Sequence, residues 1–451
     1  MANPKIVLIQ PPSPYLLIEK WLAPLNLYYL KAFLNKNGYA EVSVINLAGL
    51  DTPLEALPLD GDIYGVTLFT PQFPLAQAIA SHLKQHTSGM VIAGGHHVSA
   101  LPSESLEASC FDIVVRGEGE WTLLDIVAGR RLSEVAGISY RDERGDIVHN
   151  ADRKFHPTID DFCFPNLDDI PLAEYPGMTI DKEAGRFEMS FMTSRGCPFD
   201  CAFCASQKFW KRKVRFHSAA YIMAVLDDLH ERGIHDVRFE DDNFDLNKDR
   251  LAEILSHLKK RGFGWGCCMR SENVTDETIG AMVDAGLTDV ALGIETACDR
   301  VLKLINKNET AAEHGAAVAI LKRHEVRVKA YIMSGLPGED QQSVDETVRF
   351  IREQPIDSYT VSTFVPFPGT DIWHHPGKYG YAFDKQQCFA NFTFLSNRAN
   401  NPSVAQNADE LGHFHQQLCQ AAAEKNTLTR SANVARNLEG LNNWKTAFVE
   451  R

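Results

Sequence analysis

Short apolar runs alternate with amphipathic helical stretches along most of this chain, and this alternation constrains the fold more than any other feature. Strands that are joined through helices run parallel, because each crossover returns the chain to the same edge of the sheet. In the first third, the alternation predicts a parallel sheet with helices on both faces. The predicted strands are residues 5–10, 42–45, 63–68, 91–93 and 113–115, the predicted helices include 25–34 and 75–83, and a hairpin at 137–148 is predicted to close the domain.

A second alternation begins near residue 187. Its predicted strands are residues 187–192, 236–240, 264–269, 289–293, 327–332 and 358–363, and each except the last is followed by a helical stretch. Leucines and isoleucines recur at helical spacing in these stretches, so each helix has one buried stripe. Six strand–helix units predict a partial (β/α)6 barrel, in which chemistry lies at the carboxyl ends of the strands.

The 451 residues exceed one ordinary hydrophobic core, so two or three domains are expected within an α/β fold. We predict a Rossmann-like domain at residues 1–150, a proline-containing linker at 151–185 and the partial barrel at 186–372. A mainly helical C-terminal segment is predicted at 373–451, where residues 411, 414, 418 and 421 are apolar at roughly helical spacing.

Three cysteines, Cys197, Cys201 and Cys204, lie in a CxxxCxxC spacing on the loop predicted after the first barrel strand. Thiolates are soft ligands that suit iron–sulfur clusters. A cubane cluster normally takes four thiolates, and no fourth cysteine stands at motif distance, so one iron would stay open to a substrate or cofactor. The alternatives are a chance grouping of small buried residues and a zinc site, for which a second ligand pair is lacking nearby.

Polar side chains also follow the later barrel strands. They are Asp241, Asp242, Asn243, Arg270, Glu295, Ser334 and the turn that begins at Pro366. Because the carboxyl ends of the strands share one mouth, these groups would converge on the cysteine loop. Each also has a structural interpretation: Asp242 could cap a helix, Arg270 could form a surface ion pair, and Glu295 could stabilise a helix N-terminus.

Four loops follow the strands of the first predicted sheet, at the edge where such folds bind ligands. They are residues 11–15, 70–73, 94–97 and 116–120, and two of them are glycine-rich. Glycine lets a backbone approach a bulky ligand closely, so a site for a large nucleotide-like ligand is a hypothesis for this edge. The alternative for His96 and His97 is a solvent-facing or capping role.

The charge and the cysteine distribution of the chain indicate which binding partners and which cellular compartment are expected. The chain has 45 Lys and Arg against 59 Asp and Glu, which argues against a general nucleic-acid binder. The one basic cluster, at residues 208–215, is interpreted as a solvated face. No leader pattern and no apolar run of about eighteen residues is present, so no membrane partner is expected. The cysteines outside the motif are scattered, which favours a reducing, cytoplasmic location.

A CxxxCxxC loop after the first strand of a six-unit partial barrel resembles the radical S-adenosylmethionine superfamily. The resemblance implies that Cys197, Cys201 and Cys204 bind a [4Fe-4S] cluster, whose open iron takes the amino and carboxylate groups of S-adenosylmethionine. Phe203, just before the last cysteine, would lie along the adenine. The strand-end residues assigned to S-adenosylmethionine are Asp242, Arg270, Glu295, Ser334 and Pro366. An external donor such as flavodoxin or ferredoxin would reduce the cluster and release a 5′-deoxyadenosyl radical.

The front third is similar to the cobalamin-binding domain of the cobalamin-dependent branch of that superfamily. The strings that carry this similarity are residues 94–97 with 101–102, then 112–120, and, in the barrel, 292–296, 335–338 and 366–370. The residues assigned to cobalamin are Pro12, Thr70, Gln72, Gly94, Gly95, His96, Gly117, Glu118 and Gly119. The DxHxxG string of many cobalamin proteins is absent, which implies base-off binding with no histidine ligand and with the loop 70–72 facing cobalt.

The resemblance implies methylation of an unactivated carbon in a small-molecule or natural-product substrate, with cobalamin carrying the methyl group. One alternative uses the same cofactors for ring formation, ring contraction or another rearrangement without methyl transfer. A second is a non-catalytic iron–sulfur redox protein. A third keeps the radical chemistry but leaves the front domain without cobalamin.

Overall fold

The computed structural model describes residues 3–13, 16, 18–181, 184–382 and 408–425, and the chain divides into two compact units after Pro176. The division lies inside the segment that the sequence predicts to be a linker, residues 151–185. The first part of that segment packs on the first unit, where Ile159 and Phe162 form a buried cluster with Phe33. Apolar side chains therefore attach most of this proline-containing segment to one unit.

The first unit is built on a seven-stranded sheet of order β2-β1-β3-β4-β5-β6-β7. Its strands are β1 (Ile6–Gln10), β2 (Val42–Asn46), β3 (Ile63–Thr67), β4 (Met90–Gly94), β5 (Ile113–Val115), β6 (Ile138–Arg141) and β7 (Ile147–His149). The first five strands are parallel, and β6 and β7 are antiparallel. The predicted parallel sheet is confirmed, and the predicted hairpin forms its antiparallel edge.

Helices cover both faces of this sheet. They are α1 (Leu25–Lys36), α2 (Phe73–His86), α3 (His96–Ala100), α4 (Pro102–Glu107) and α5 (Glu120–Val127). Alternate residues of a strand point to opposite faces. Ile6 and Leu8 accordingly join the core formed with α1 and α5, whereas Val7 and Ile9 join the core formed with α2. The strand order reverses between β1 and β3, which is where doubly wound sheets bind their ligands.

The second unit has a sheet of order β16-β15-β14-β13-β12-β9-β8. Its strands are β8 (Thr179–Asp181), β9 (Arg186–Phe191), β12 (Asp236–Phe239), β13 (Gly264–Met269), β14 (Leu287–Glu295), β15 (Arg327–Ser334) and β16 (Ser358–Thr363), and a separate hairpin pairs β10 (Ser194–Arg195) with β11 (Arg215–Phe216). All strands from β9 to β16 in the sheet are parallel, and β8 is an antiparallel edge. The six predicted barrel strands are confirmed.

The helices of this unit are α6 (Ser206–Phe209), α7 (Ala219–Glu231), α8 (Lys248–Arg261), α9 (Asp276–Asp284), α10 (Asp299–Leu304), α11 (Ala311–Arg323), α12 (Gln341–Glu353), α13 (Asp371–His374) and α14 (Ala408–Lys425). Several begin at a side chain that satisfies a free backbone N–H, as Ser218, Asn247 and Thr310 do. No helix in the described part of the chain combines the length and the hydrophobicity needed to cross a lipid bilayer.

Helix α14 completes the barrel. It packs against α12, β15 and β16, and Phe414, Leu418 and Ala421 are buried in that contact. The predicted apolar stripe of the C-terminal segment therefore covers the last barrel strand, after which residues 364–382 contain only the four-residue α-helix α13. Residues 383–407 and 426–451 of the predicted helical segment lie outside the described residues.

Candidate active site

The cysteine loop follows β9 and is held in place by segments from the far side of the barrel. The Ala202 N–H donates to the Ile305 carbonyl at 2.8 Å, and the Ala202 carbonyl accepts from the Ile372 N–H at 3.4 Å. The side-chain amide of Asn306 donates to the Asp200 carbonyl at 2.7 Å. These bonds give the loop a defined position at the carboxyl ends of the strands.

Gly196 opens this loop in a backbone conformation that other residues rarely adopt. Its φ is 104°, and a Cβ at this position would collide with the carbonyl oxygen of Lys213. Strands β10 and β11 pair directly before and after the loop, which brings those two backbones together. Glycine is therefore required where the loop begins.

Burial dominates the electrostatics of the three thiols. It raises the pKa of Cys197 and Cys201 above the usual range and that of Cys204 to about 12. At Cys201 the positive charges of Lys307 and Arg270 oppose this effect. The free thiols are therefore protonated at neutral pH, and a metal cluster that binds them must displace three protons.

This donor set fits an iron–sulfur cluster better than a single ion. Within the described residues, no three His, Cys, Asp or Glu side chains meet at a point where they could hold a metal ion. The thiols of a cubane site need not meet at one point, because each binds a different iron. The zinc alternative, which requires about four convergent ligands, is not supported by this arrangement.

Arg270, which directly follows β13, lies against the cysteine loop. Its Nη1 is 3.7 Å from the Cys201 Sγ, its Cζ is 3.9 Å from the Phe199 ring centroid, and its Nη2 donates to the Lys307 carbonyl at 2.6 Å. The residue is 6% exposed. The structure thus places this predicted strand-end residue beside Cys201 of the cysteine loop, and the surface ion pair considered from the sequence is wrong.

Lys307 and two glutamates form a buried ionic network behind Cys201. The Lys307 Nζ is 3.5 Å from Glu295 and 3.3 Å from Glu309, and Arg270 is 3.4 Å from Glu309. Burial lowers the pKa of Lys307, but the two carboxylates outweigh it and hold that pKa above the usual value. Glu295, a predicted site residue, has a φ of 65° and is committed to this network. Two cations therefore stay charged next to the cysteine loop.

The polar residues after β12 have three different roles. The buried Asp241 carboxylate accepts from the Thr193 N–H at 3.0 Å and from the Ser194 hydroxyl, which ties β12 to the segment before the cysteine loop. Asp242 is exposed and accepts from the Ser206 hydroxyl at 2.7 Å. Asn243 is fully buried, and neither atom of its amide has a hydrogen-bond partner in the described residues. A bound ligand could satisfy that amide, which fits a cofactor site here.

The remaining predicted S-adenosylmethionine residues lie in different environments. Phe203 is partly buried and packs on the apolar cluster that contains Ile305 and Phe364. Pro366 is buried in the turn after β16. The Ser334 hydroxyl is 2.7 Å from Nδ1 of His415 on α14, so it points to the helix layer and not to the mouth. Any contact of Ser334 with S-adenosylmethionine would have to use its backbone.

In the first unit, the loops after β1 and β3 are joined across the switch point. The Gln72 amide donates to the Pro11 carbonyl at 3.2 Å and to the Ser13 hydroxyl at 2.8 Å. The Thr70 hydroxyl is 3.1 Å from Nδ1 of His97. Thr70 and Gln72 are at most 3% exposed. Pro12 is also buried, so these predicted cobalamin residues build the loops, and their side chains are not presented to solvent.

The glycines of this edge leave room for a ligand. A Cβ at Gly94 or Gly117 would meet no atom within 4 Å, whereas one at Gly95, whose φ is 112°, would collide with the Leu68 carbonyl. Gly119 and the partly buried Glu118 directly precede α5. The open backbone at two loop ends fits a bulky ligand at the carboxyl edge of the sheet.

An aromatic pair lies on the same edge. The ring centroids of Phe69 and His96 are 5.3 Å apart and the rings are stacked. Burial lowers the pKa of His96 to about 4, so the imidazole is neutral at pH 7. Phe69 is half exposed and was not among the predicted site residues.

Sequence reasoning also missed Lys307, Glu309 and His415. Lys307 stands between Asn306 and Asn308, which both have a positive φ near 55°. Asparagine tolerates this conformation better than most residues, so the Asn-Lys-Asn string was a signal for a tight functional loop. Nothing in the sequence links His415 to Ser334, which is 81 positions away.

Comparison with known proteins identifies both units. Residues 191–351 match the model of the radical SAM superfamily, and residues 18–127 match that of the B12 binding domain. The chain is 31% identical over 388 residues to the uncharacterized methyltransferase PH0819 of Pyrococcus horikoshii, which covers 82% of this chain and 83% of that protein. It is 27% identical to an anaerobic magnesium-protoporphyrin IX monomethyl ester cyclase of Rubrivivax gelatinosus, over 82% of this chain and 68% of that protein.

A solved structure shows the same fold. The radical S-adenosylmethionine methyltransferase TsrM of Kitasatospora setae, with cobalamin and a [4Fe-4S] cluster bound, superposes with a TM-score of 0.67 and 18% identity, over 92% of this chain and 85% of that one. The predicted α/β architecture and the predicted family are thereby confirmed, and the non-catalytic alternative is not supported. The chain belongs to the cobalamin-dependent radical S-adenosylmethionine enzymes, and its cofactors are a [4Fe-4S] cluster, S-adenosylmethionine and cobalamin.

Proposed function

We propose that this enzyme transfers a methyl group to an unactivated carbon of a small-molecule biosynthetic intermediate. The observation that carries the proposal is the presence, in one chain, of a three-cysteine loop and a cobalamin-binding domain whose relatives include proteins named methyltransferases. When bound, the cluster and S-adenosylmethionine supply a radical that abstracts hydrogen, and cobalamin supplies the methyl group.

The residues of the second unit hold and shield the reacting groups in this proposal. Cys197, Cys201 and Cys204 bind the cluster. Arg270 and Lys307 keep positive charge beside Cys201, which lowers the free-energy cost of adding an electron to a buried cluster. Phe203 flanks the adenine, and Asp242, Glu295 and the backbone at Ser334 and Pro366 complete the S-adenosylmethionine site.

In the first unit we assign the loops at the switch point to cobalamin. Gly94, Gly95 and Gly117 let the backbone approach the corrin ring, and Pro12, Thr70 and Gln72 position those loops. His96 is neutral and stacked on Phe69, so it offers a flat apolar surface and no charge. Glu118 and Gly119 complete the edge. No side chain is assigned as a cobalt ligand.

We also propose an acidic electron carrier of the flavodoxin or ferredoxin type as the external donor. Lys208, Lys211, Arg212 and Lys213 are exposed on the segment that follows the cysteine loop. Nε of Arg212 donates to the Pro198 carbonyl inside that loop at 3.2 Å. A basic surface this close to the cluster favours an acidic partner. Weakening of donor-dependent reduction by salt, and by Lys208→Glu with Lys211→Glu, would support the assignment.

A second candidate function is ring formation without methyl transfer, which the cyclase of Rubrivivax gelatinosus favours. Product analysis after anaerobic reconstitution with both cofactors separates the two. Methyl transfer yields S-adenosylhomocysteine together with 5′-deoxyadenosine, whereas ring formation yields 5′-deoxyadenosine without S-adenosylhomocysteine. Turnover of a substrate without S-adenosylhomocysteine would refute the methyltransferase proposal. A Cys201→Ala protein, loaded with cobalamin, is the control for products that arise without the cluster.

A further inference from the structure

The barrel sheet has one apolar face and one polar face. Val237, Phe239, Trp265, Val290 and Leu292 are at most 1% exposed and lie on the face that the helices cover. Residues at the alternate positions point the other way, because side chains alternate along a strand. This second surface, called the inner face below, carries Glu188, Ser190, Arg238, Glu240, Gly266, Cys268, Asp289, Ala291, Gly293, Lys329 and Tyr331.

The charges nearest the amino ends of the strands are paired with one another. Arg238 contacts Glu188 at 3.3 Å and Asp289 at 2.5 Å. Gly266 lies between them, and a Cβ there would be 2.8 Å from the Asp289 carboxylate and 2.9 Å from Arg238. This layer is filled by its own ion pairs and closes the bottom of the inner face.

The next layer contains Lys329, a cation that makes no direct ion pair with any described residue, although the Glu240 carboxylate lies near enough to act on it electrostatically. Cys268 is level with Ala291, and Ala291 with Lys329, in the strand register. In the described residues Lys329 has no hydrogen bond and no ion pair, and its Nζ lies 4.9 Å from the Tyr331 ring centroid. Burial lowers the pKa of Lys329. A partly buried ammonium of this kind is stabilised by a ligand anion.

Other groups of the inner face surround Lys329. Tyr331 is 37% exposed, and the small residues Ala291 and Gly293 lie on the neighbouring strand, level with Lys329 and Tyr331. Glu240, across the layer from Lys329, accepts from the Ser190 hydroxyl at 3.3 Å. At this level the inner face therefore carries an ammonium and a phenol on one strand and a carboxylate on another.

The inner face leads directly to the cluster site. A Cβ on Gly293 would be 2.7 Å from the Glu295 carboxylate and 3.2 Å from the Lys307 Nζ, and that network borders Cys201. Each layer of two residues rises about 6.6 Å along a strand. Lys329 thus lies on the order of 10 Å below the mouth of the barrel.

We propose that Lys329, with the Tyr331 hydroxyl, binds an anionic group of the substrate, a carboxylate or a phosphate. This inference rests on the proposed function and specifies which class of small molecule the enzyme would methylate. The substrate is an organic acid or phosphate ester whose reacting carbon lies several bonds from the acid group. A hydroxyl or ammonium group of the same molecule faces Glu240.

The test measures protection of Lys329 in the reconstituted holoenzyme with inorganic phosphate and acetate as probes. Lysines are propionylated with a succinimidyl ester under anaerobic conditions, and the rate at Lys329 is compared by peptide mass spectrometry with that at the exposed Lys259. Chloride at equal ionic strength is the reference. At a probe concentration of about three times Kd, labelling of Lys329 falls about fourfold, while labelling of Lys259 is unchanged. Tyr331→Phe weakens the protection.

The outcomes distinguish a phosphate ester from a carboxylic acid as the bound anion, and they test the anion site separately from the proposed methyl transfer. Protection by phosphate alone indicates a phosphate ester, and protection by acetate alone indicates a carboxylic acid. Equal labelling of Lys329 in all three salts overturns the anion site, and so does an absence of labelling in chloride, since the ammonium would then be inaccessible from the inner face. Labelling needs no turnover, so it stands or fails independently of the product test for methyl transfer.

Discussion

Replacing Lys307 by Met tests whether the network behind Cys201 is a buried ionic unit. The side chains of Lys307, Glu295 and Glu309 are 6%, 11% and 0% exposed. Methionine keeps much of the volume and removes the charge. Glu309 retains Arg270 at 3.4 Å, but within the described residues Glu295 has no other ion pair. Removing one partner of a buried pair costs about 3–5 kcal/mol, and because one glutamate keeps a partner we expect about 3 kcal/mol.

The assay is urea unfolding of the cofactor-free protein, followed by circular dichroism, at pH 7. The control is Lys259→Met, which breaks the exposed ion pair with Asp284, where the side chains are 58% and 64% exposed. Exposed pairs contribute about 0–1 kcal/mol. Adding Glu295→Gln to Lys307→Met removes the uncompensated carboxylate and should restore most of the loss. Equal effects of the two lysine substitutions would refute the reasoning.

Three further outcomes follow from the geometry. Cys201→Ala should lose the cluster absorbance and 5′-deoxyadenosine formation. It should retain corrinoid binding, since the cobalamin domain is a separate compact unit. Loss of the cluster and of corrinoid binding together would contradict that division. Burial raises the pKa of Glu339 from 4.5 to about 7, so between these pH values the folded state holds a proton that the unfolded state has released. The stability that this proton binding contributes is complete below about pH 4.5 and is lost as the pH rises to about 7. Glu339→Gln should therefore flatten the pH dependence of the free energy of unfolding over this range. Gly95→Ala should lower the free energy of unfolding by about 1–3 kcal/mol and weaken corrinoid retention, because residue 95 has a positive φ and its Cβ would collide with the Leu68 carbonyl. Gly94→Ala is the control, since a Cβ there meets no atom within 4 Å and should change stability little.

The local pattern of the chain was sufficient to predict both sheets. Apolar runs of strand length that alternate with helical stripes specify which faces are buried, and crossovers of that length impose parallel strands. The cysteine spacing likewise predicted an iron–sulfur loop from local sequence alone, since the three cysteines lie within eight positions and their proximity does not depend on the rest of the fold. The positions of Arg270 and Glu295 at the carboxyl ends of predicted strands also indicated that both lie near that loop.

Contacts between distant positions were decided only by the tertiary structure. Periodicity shows that a side chain is buried but does not name its neighbour, so the bond from Ser334 to His415 and the packing of α14 on β16 could not be predicted. Ion pairs between distant residues are limited in the same way. In the sequence nothing distinguishes Glu295, Lys307 and Glu309 from other charged residues, and only the folded loop before α11 brings them together behind Cys201. For Lys329 the sequence shows only a lysine in a strand. That it makes no hydrogen bond or ion pair within the described residues is visible only once the neighbouring strands are in register.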